Sequence, residues 1–201
     1  ELEPEGALAL EVEGRVACTA TTVCYGRELA WIGMVLTLPE CRGRGYARRL
    51  MREALAWVER RGIPWTKLDA TDMGHHLYES LGFRDEQPVE RWKRAPAGGD
   101  FRAPELAFGM DAELDRQAFG ADRARLLEFF RRFEAASVPG GGFAMGRPGN
   151  AAAYFGPCVC RRPEAARVLL EWFLARHFGE PVYWDILPSN REALRLAEGY
   201  G

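Results

Sequence analysis

The chain has 201 residues, of which 47% are hydrophobic and 28% are charged, and this composition excludes a mostly disordered protein. Its 27 basic and 29 acidic residues leave a net charge of −2, which argues against a protein that coats nucleic acid. No stretch reaches the roughly 18 consecutive apolar residues that a membrane-spanning helix needs.

The first half of the chain predicts several strands around an amphipathic helix. Apolar and β-branched residues are frequent at its start, and the nearly continuous apolar run of residues 29–38 is typical of a strand covered on both faces. Apolar residues recur at helical spacing from Ala47 to Val58, and Gly62 and Pro64 end that helix. We therefore predict strands at residues 7–13, 16–25, 29–38, 65–70 and 89–93, and helices at 46–61 and 73–81.

A breaker-rich linker, residues 95–100, separates this half from a second one with a similar order of elements. There we predict helices at residues 115–133 and 163–177, strands at 143–147, 151–159 and 181–187, and a last helix that begins at Asn190. The segment Trp65–Asp69 resembles Val182–Asp185, and Leu77–Phe83 resembles Leu196–Gly201. These pairs indicate a diverged internal duplication, so we predict an α/β fold of two tandem modules, each a mixed sheet flanked by helices.

The five cysteines are an odd number without the spacing of a disulfide framework. Cys158 and Cys160 stand too close in sequence for the usual zinc hook, and no second pair accompanies them. We therefore expect reduced thiols in a cytoplasmic protein.

The segment Pro39–Arg48 lies between the apolar strand and the helix and carries the clearest chemical pattern. Gly43 and Gly45 let the backbone approach a ligand closely, and the free N–H groups of a helix start favour a phosphate. The alternative is a tight turn flanked by solvated arginines. A dinucleotide fingerprint is excluded because Arg48 stands where its third glycine belongs, and the absence of Gly-Lys-Ser/Thr excludes a P-loop.

Two motifs in this half resemble those of the GNAT-type N-acetyltransferases. Arg42–Ala47 matches the loop Arg/Gln-x-x-Gly-x-Gly/Ala of that family, and Leu77–Phe83 matches its motif Leu-Tyr-x-x-Leu-Gly-Phe. Each motif lies on the expected element, so residues 7–94 resemble most of a GNAT domain. The resemblance implies that acetyl-CoA is the co-substrate.

The resemblance also implies which residues meet acetyl-CoA. Strand residues would bond the pantetheine arm and orient the thioester carbonyl, and the loop amides would hold the pyrophosphate. Tyr78 would be the general acid that protonates the departing CoA thiolate, and the alternative is a core aromatic with a wet hydroxyl. The expected contacts of acetyl-CoA are Val35, Leu36, Thr37, Arg42, Gly43, Arg44, Gly45, Tyr46, Ala47 and Arg48.

The pattern names no general base. Asp69 and Asp72 follow the next strand, where a base could lie, but Asp72 equally suits a helix cap, and in many family members water relays the proton. His75 and His76 are adjacent, and neighbouring residues on a helix point about 100° apart, so we expect no metal site. His177 is expected to interact with a helix dipole and to do nothing more.

The second half resembles the degenerate module of some tandem GNAT proteins. Its loop Cys160–Glu164 has no glycine, Pro163 removes an amide that would face phosphate, and Ala197 stands in place of the tyrosine. We therefore expect domains at residues 1–95 and 99–201. The second would not transfer acyl groups, would bind CoA weakly or not at all, and would serve as a lid, a pocket wall or a dimer surface. We also expect both modules to be truncated relative to a complete GNAT domain.

These patterns together predict an N-acetyltransferase that moves an acetyl group from acetyl-CoA to a primary amine of a small molecule or peptide. The alternative is a non-catalytic acyl-CoA-binding or sensory module that acts through a partner. Nucleic acid is not expected as a partner because glutamates interrupt the arginines of residues 42–61. No membrane contact is expected, and a homodimer is compatible with the sequence.

Overall fold

The computed structural model describes residues 3–97 and 102–200, and the chain forms two compact units. The first unit comprises the residues up to 85 together with 121–123, and the second comprises 86–120 and the residues from 124 onward. Residues 98–100 of the predicted linker lie outside the described part of the chain. No described helix is long and apolar enough to cross a membrane.

The first unit is a four-stranded sheet with helices packed against it. Its elements are β1 (Ala7–Val12), β2 (Arg15–Tyr25), β3 (Leu29–Thr37), α1 (Tyr46–Arg60), β4 (Trp65–Lys67) and α2 (Asp72–Glu79). The strand order is β1-β2-β3-β4, with antiparallel pairs up to β3 and a parallel pair between β3 and β4. Leu50, Met51 and Ala54 fall on one face of α1, and they form the core with Cys18 of β2 and Ile32 of β3.

The second unit is built on a five-stranded sheet. Its elements are β5 (Glu90–Arg94), α3 (Ala112–Phe119), α4 (Ala124–Phe130), β6 (Glu134–Val138), β7 (Gly142–Arg147), β8 (Ala153–Cys160), α5 (Pro163–Arg176), β9 (Val182–Ile186) and α6 (Arg191–Glu198). The strand order is β5-β9-β8-β7-β6, and only β8 and β9 are parallel among these neighbours. Both sheets thus join antiparallel strands to one parallel pair, with a helix in the crossover, as expected for a duplication.

Three features of the second unit differ from the sequence-based expectations. The strand predicted at residues 89–93 is β5, and it hydrogen-bonds to β9 of the second sheet, so it packs with the second unit. The helix predicted at residues 115–133 is instead two helices, because Gly120 takes a φ of 88° and ends α3. Strand β6 was not predicted at all, since its sequence Glu-Ala-Ala-Ser-Val has little hydrophobic alternation. The domain limits at residues 95 and 99 stay a prediction.

His177 takes part in an ion-pair cluster, contrary to the expectation that it interacts with a helix dipole alone. Its Nε2 lies 2.8 Å from a carboxylate oxygen of Glu134 on β6, and its Nδ1 lies 2.7 Å from Glu180. The second oxygen of Glu134 accepts a hydrogen bond from Arg176 at 3.0 Å. The hydrogen bond to Glu134 raises the pKa of His177, and the same bond lowers the pKa of Glu134.

This cluster predicts that the second unit is most stable at moderately acidic pH. The stabilisation from His177 is complete below its ordinary pKa of 6.5 and is lost as the pH rises through the raised value. The stabilisation from Glu134 is complete above its ordinary pKa of 4.5 and is lost as the pH falls through the lowered value. Melting temperatures measured from pH 4 to pH 9 test this. We expect His177→Gln to flatten the decline above pH 6.5, and parallel profiles for the two proteins would contradict the prediction.

Candidate functional site

The far half of β3 presents a free backbone edge. Strand β4 pairs with β3 only along Leu29–Trp31, through its residues Trp65–Lys67, whereas β3 continues to Thr37. No strand of the described chain pairs with this edge of β3 beyond Trp31. The N–H and C=O groups that point toward this gap are therefore available to an extended ligand, as at the edge of any sheet.

A β-bulge lies in the same stretch of β3. Thr19 faces Leu36 and Thr21 faces Gly33, so Met34 and Val35 together oppose a single residue of β2. Met34 has a positive φ of 51°. Two threonines hold the bulge from β2, because the hydroxyl of Thr19 donates to the Met34 carbonyl at 2.9 Å and that of Thr21 donates to the Gly33 carbonyl at 3.1 Å. A bulge of this kind re-aims the strand next to its free edge.

The loop after β3 leads into a helix start without a side-chain cap. Gly43 and Gly45 have φ values of 75° and 78°, which glycine adopts without strain, and a Cβ added at either position would meet no atom within 4 Å. Gly45 is the N-cap of α1, and the first helical hydrogen bond runs from the Arg49 N–H to its carbonyl. The N–H groups of Tyr46, Ala47 and Arg48 therefore have no acceptor within the helix.

Positive charge surrounds this helix start. Arg42 and Arg44 are exposed, Arg48 is half-buried, and the first turn of α1 carries no acidic residue. Arg42 also donates from Nε to the Thr37 carbonyl at 3.4 Å, which joins the loop to the end of β3. The free strand edge and the cationic helix start thus follow each other directly, a combination suited to an extended ligand that ends in phosphate.

Tyr78 lies on α2 and packs into the same core as the bulge. Its ring and Val35 both contact the cluster of Ile32, Met51 and Ala54. The ring meets Phe83 edge-on at 6.1 Å between centroids. Burial raises the pKa of Tyr78 above its ordinary value of 10.0, so the phenol is protonated at neutral pH. Within residues 3–97 and 102–200 its hydroxyl has no hydrogen-bond partner.

Gly74 makes room for this tyrosine. A Cβ at Gly74 would lie 2.7 Å from Cε2 of the Tyr78 ring and 3.2 Å from its hydroxyl oxygen. Four residues separate the two positions, so they share one face of the helix. Gly74 and the threonines behind the bulge are functional candidates that the sequence motifs did not predict. The sequence did hold a signal for Gly74. Glycine disfavours a helix, and this one lies inside a helix, one turn before the tyrosine.

The two candidate bases do not lie on a strand. Strand β4 ends at Lys67, so Asp69 belongs to the exposed connection that precedes α2. Thr71 is the N-cap residue of α2, and Asp72 is the first residue of the helix. A carboxylate at that position stabilises the helix through its dipole. This role explains Asp72 without a catalytic function.

The equivalent region of the second unit offers fewer donors to an anion. Strand β8 has its own bulge, where Gly156 and Pro157 oppose one residue of β7. Helix α5 begins with Pro163, which has no N–H, and the N–H groups of Ala165 and Ala166 both donate to the Arg162 carbonyl at 3.2 and 3.4 Å. Of the three N–H groups that stay free at the start of α1, the equivalents at α5 are therefore one missing at Pro163, one occupied at Ala165 and one left at Glu164. Ala197, on α6, is fully buried and offers no hydroxyl.

Two sequence-family models match the chain, and both describe an acetyltransferase (GNAT) domain. One matches residues 4–85 and the other matches residues 112–201, so that together they span most of the sequence. The chain belongs to the GNAT acetyltransferase family. It holds two GNAT domains in tandem, as the sequence motifs and the duplication predicted. A comparison with curated proteins gives no match.

Solved structures show the same GNAT fold. A proposed acetyltransferase from Pyrococcus horikoshii is similar over 99% of this chain and 70% of its own, with a TM-score of 0.82 and 24% identity. A GCN5-related N-acetyltransferase from Kribbella flavida is similar over 94% of this chain and 55% of its own, with a TM-score of 0.54 and 21% identity. These likenesses show the GNAT fold for nearly the whole chain.

Proposed function

We propose that this GNAT protein transfers an acetyl group from acetyl-CoA to a primary amine of a small molecule or peptide. The observation that carries the proposal is the continuity of the free β3 edge with the uncapped, cationic start of α1. Acetyl-CoA has this layout, because its pantetheine arm carries amides along an extended chain and its pyrophosphate carries the negative charge. The family matches support the same donor.

Different residues of the first unit would bind different parts of acetyl-CoA. The N–H groups of Tyr46, Ala47 and Arg48 would donate to the pyrophosphate, with Arg42 and Arg44 neutralising its charge. The glycines Gly43 and Gly45 allow the close backbone approach. Backbone groups of Val35, Leu36 and Thr37 would bond the pantetheine amides as an added strand does.

The chemical step is an aminolysis of the thioester. The neutral amine attacks the thioester carbonyl, and a C–N bond forms while the carbonyl oxygen takes negative charge. The intermediate then expels the CoA sulfur, which takes a proton from the Tyr78 hydroxyl. The amine nitrogen loses a proton to water, and Tyr78 regains one from the solvent. Strand N–H groups at the bulge would polarise the carbonyl, so positioning and preorganised dipoles provide most of the rate.

The second unit has a different role in this proposal. The loss of N–H donors at the start of α5 and the buried Ala197 support a module that binds CoA weakly or not at all and donates no proton. We propose that acetyl transfer belongs to the first unit alone. We also propose a cytoplasmic location, supported by the odd number of cysteines.

Thermal unfolding with acetyl-CoA tests donor binding. A ligand at 100 times its Kd stabilises the native state by about 2.7 kcal/mol, which for a chain of this size raises the melting temperature by roughly 5 °C or more. We expect this rise for the unmodified protein and its loss in Gly45→Trp, whose indole would cover the helix start.

Gly62→Trp is the matched control for this experiment. Gly62 follows the other end of α1, has a φ of 67° and leaves open space for a Cβ, so its backbone strain is similar. The control should keep the shift. Equal shifts in all three proteins, or none in the unmodified protein at millimolar acetyl-CoA, would contradict the site. Binding without thiol release for any amine would instead support the non-catalytic acyl-CoA module.

A further inference from the structure

Three potential metal ligands converge on α2, outside the site described above. They are His75, His76 and Glu79, and one ligand atom from each lies within 4.8 Å of the others. The Nδ1 atoms of His75 and His76 both lie 3.4 Å from the same carboxylate oxygen of Glu79. Among residues 3–97 and 102–200 this is the one group of three such side chains.

No metal site is expected here from the sequence, because adjacent histidines point apart on a helix, and the position of Glu79 bears on that expectation. Glu79 is four residues after His75 and three residues after His76. Both spacings bring side chains together on a helix surface. The carboxylate therefore sits between two rings that diverge from each other, and it supplies the third ligand that the spacing of the histidines alone did not reveal.

The two distances that join Glu79 to the histidines fit a small divalent ion. Zinc in a tetrahedral site binds nitrogen and oxygen at roughly 2.0–2.2 Å, which places neighbouring ligand atoms about 3.3 Å apart. The distances of 3.4 Å from the two Nδ1 atoms to the Glu79 oxygen agree with this spacing, and all three ligand atoms lie within 4.8 Å of one another. Two imidazoles and one carboxylate are a donor set for zinc and related transition metals rather than for magnesium or calcium. We propose that His75, His76 and Glu79 bind one divalent transition-metal ion, with zinc as the best match.

A second carboxylate orients one of these ligands. Asp85 contacts Nε2 of His75 with both oxygens, at 2.9 and 3.1 Å. A carboxylate only accepts, so Nε2 donates to Asp85, and the neutral imidazole of His75 then carries its lone pair on Nδ1, the atom that faces Glu79. A carboxylate behind a metal-binding histidine fixes its tautomer and strengthens the ligand. Asp85 is therefore a positioning residue of the proposed site.

The position of the site gives the ion a structural role. Helix α2 has eight residues and no side-chain cap, and it includes Gly74. Short helices with such sequences are marginal by themselves. An ion bound across one turn of α2 would stabilise the helix that carries Tyr78. The site is open to water, since the side chain of His76 is 94% exposed, so solvent completes the coordination.

Calorimetric titration of the full chain with zinc chloride tests the proposal. We expect one ion per chain in the unmodified protein and at least a tenfold weaker affinity in His76→Ala and in Glu79→Gln. Asp85→Asn should weaken binding by about 10–100-fold, the effect of losing a group that orients a ligand. Glu59→Gln is the matched control, because Glu59 is an exposed glutamate on α1.

Cysteine thiols are the competing zinc ligands, since the sulfurs of Cys158 and Cys160 lie 3.8 Å apart. A variant with both cysteines changed to serine should keep its affinity if the site is on α2. Loss of binding in that variant, or unchanged affinity in His76→Ala and Glu79→Gln, overturns the proposal. Imidazole NMR signals give a second measurement. Zinc should shift those of His75 and His76, while His177, the third histidine of the chain, serves as the internal reference.

Discussion

Tyr78→Phe is expected to lower kcat for acetyl transfer by about 10²–10⁴-fold, the usual contribution of a positioned general acid. The phenylalanine ring keeps the contacts with Phe83 and the Ile32 cluster, so the fold of α2 should not change. The loss is confined to the proton that the departing CoA thiolate receives. Acetyl-CoA should therefore raise the melting temperature of the variant as much as that of the unmodified protein.

Thiol release with a panel of amines measures this effect, and the panel includes a polyamine, an aminoglycoside and a peptide with a free N-terminus. Tyr154→Phe removes a phenol from the second unit and should leave turnover unchanged. The pH profile adds a readout, because burial raises the pKa of Tyr78 and the acid stays protonated up to pH values above 10. Unaltered kcat in Tyr78→Phe would show that water or another group protonates the thiolate.

Phe173→Ala is expected to lower the free energy of unfolding of the second unit by about 3–5 kcal/mol, the usual cost of truncating a buried phenylalanine. Phe173 is fully buried on α5, and its ring lies 5.3 Å from that of Phe155 and 4.2 Å from that of His177. A Cβ at Gly146 would lie only 2.0 Å from this ring. Gly146 touches the ring and is paired with both β6 and β8, so its backbone does not move easily into the cavity that alanine leaves.

Urea denaturation of the two proteins measures this difference. Phe133→Ala is the matched control, because that phenylalanine is 38% exposed, and truncating it should cost about 1 kcal/mol or less. Similar losses for Phe173→Ala and Phe133→Ala would place the core of the second unit elsewhere. The His177 ring contacts that of Phe173, so removing Phe173 also affects the ion pairs of His177. The His177→Gln variant measures the contribution of those ion pairs by itself.

Local patterns in the sequence were enough to locate the proposed donor site. The glycines of the loop and the helical spacing after Tyr46 act over a few residues, so they predicted the start of α1 where the structure has it. The same holds for Asn190, whose side chain accepts the Ala193 N–H at 3.1 Å and caps α6 as expected. Capping and periodicity depend on neighbours in the chain, and these are visible in one sequence.

The sequence by itself determined the GNAT motifs, the duplication and most of the helices and strands. The tertiary structure decided which sheet receives β5 and where the bulge at Met34 lies. Strand partners are chosen by hydrogen bonds and packing between residues far apart in the chain, and no local pattern encodes that choice. For the same reason, Glu134 and His177 form an ion pair across 43 positions that only the folded chain reveals.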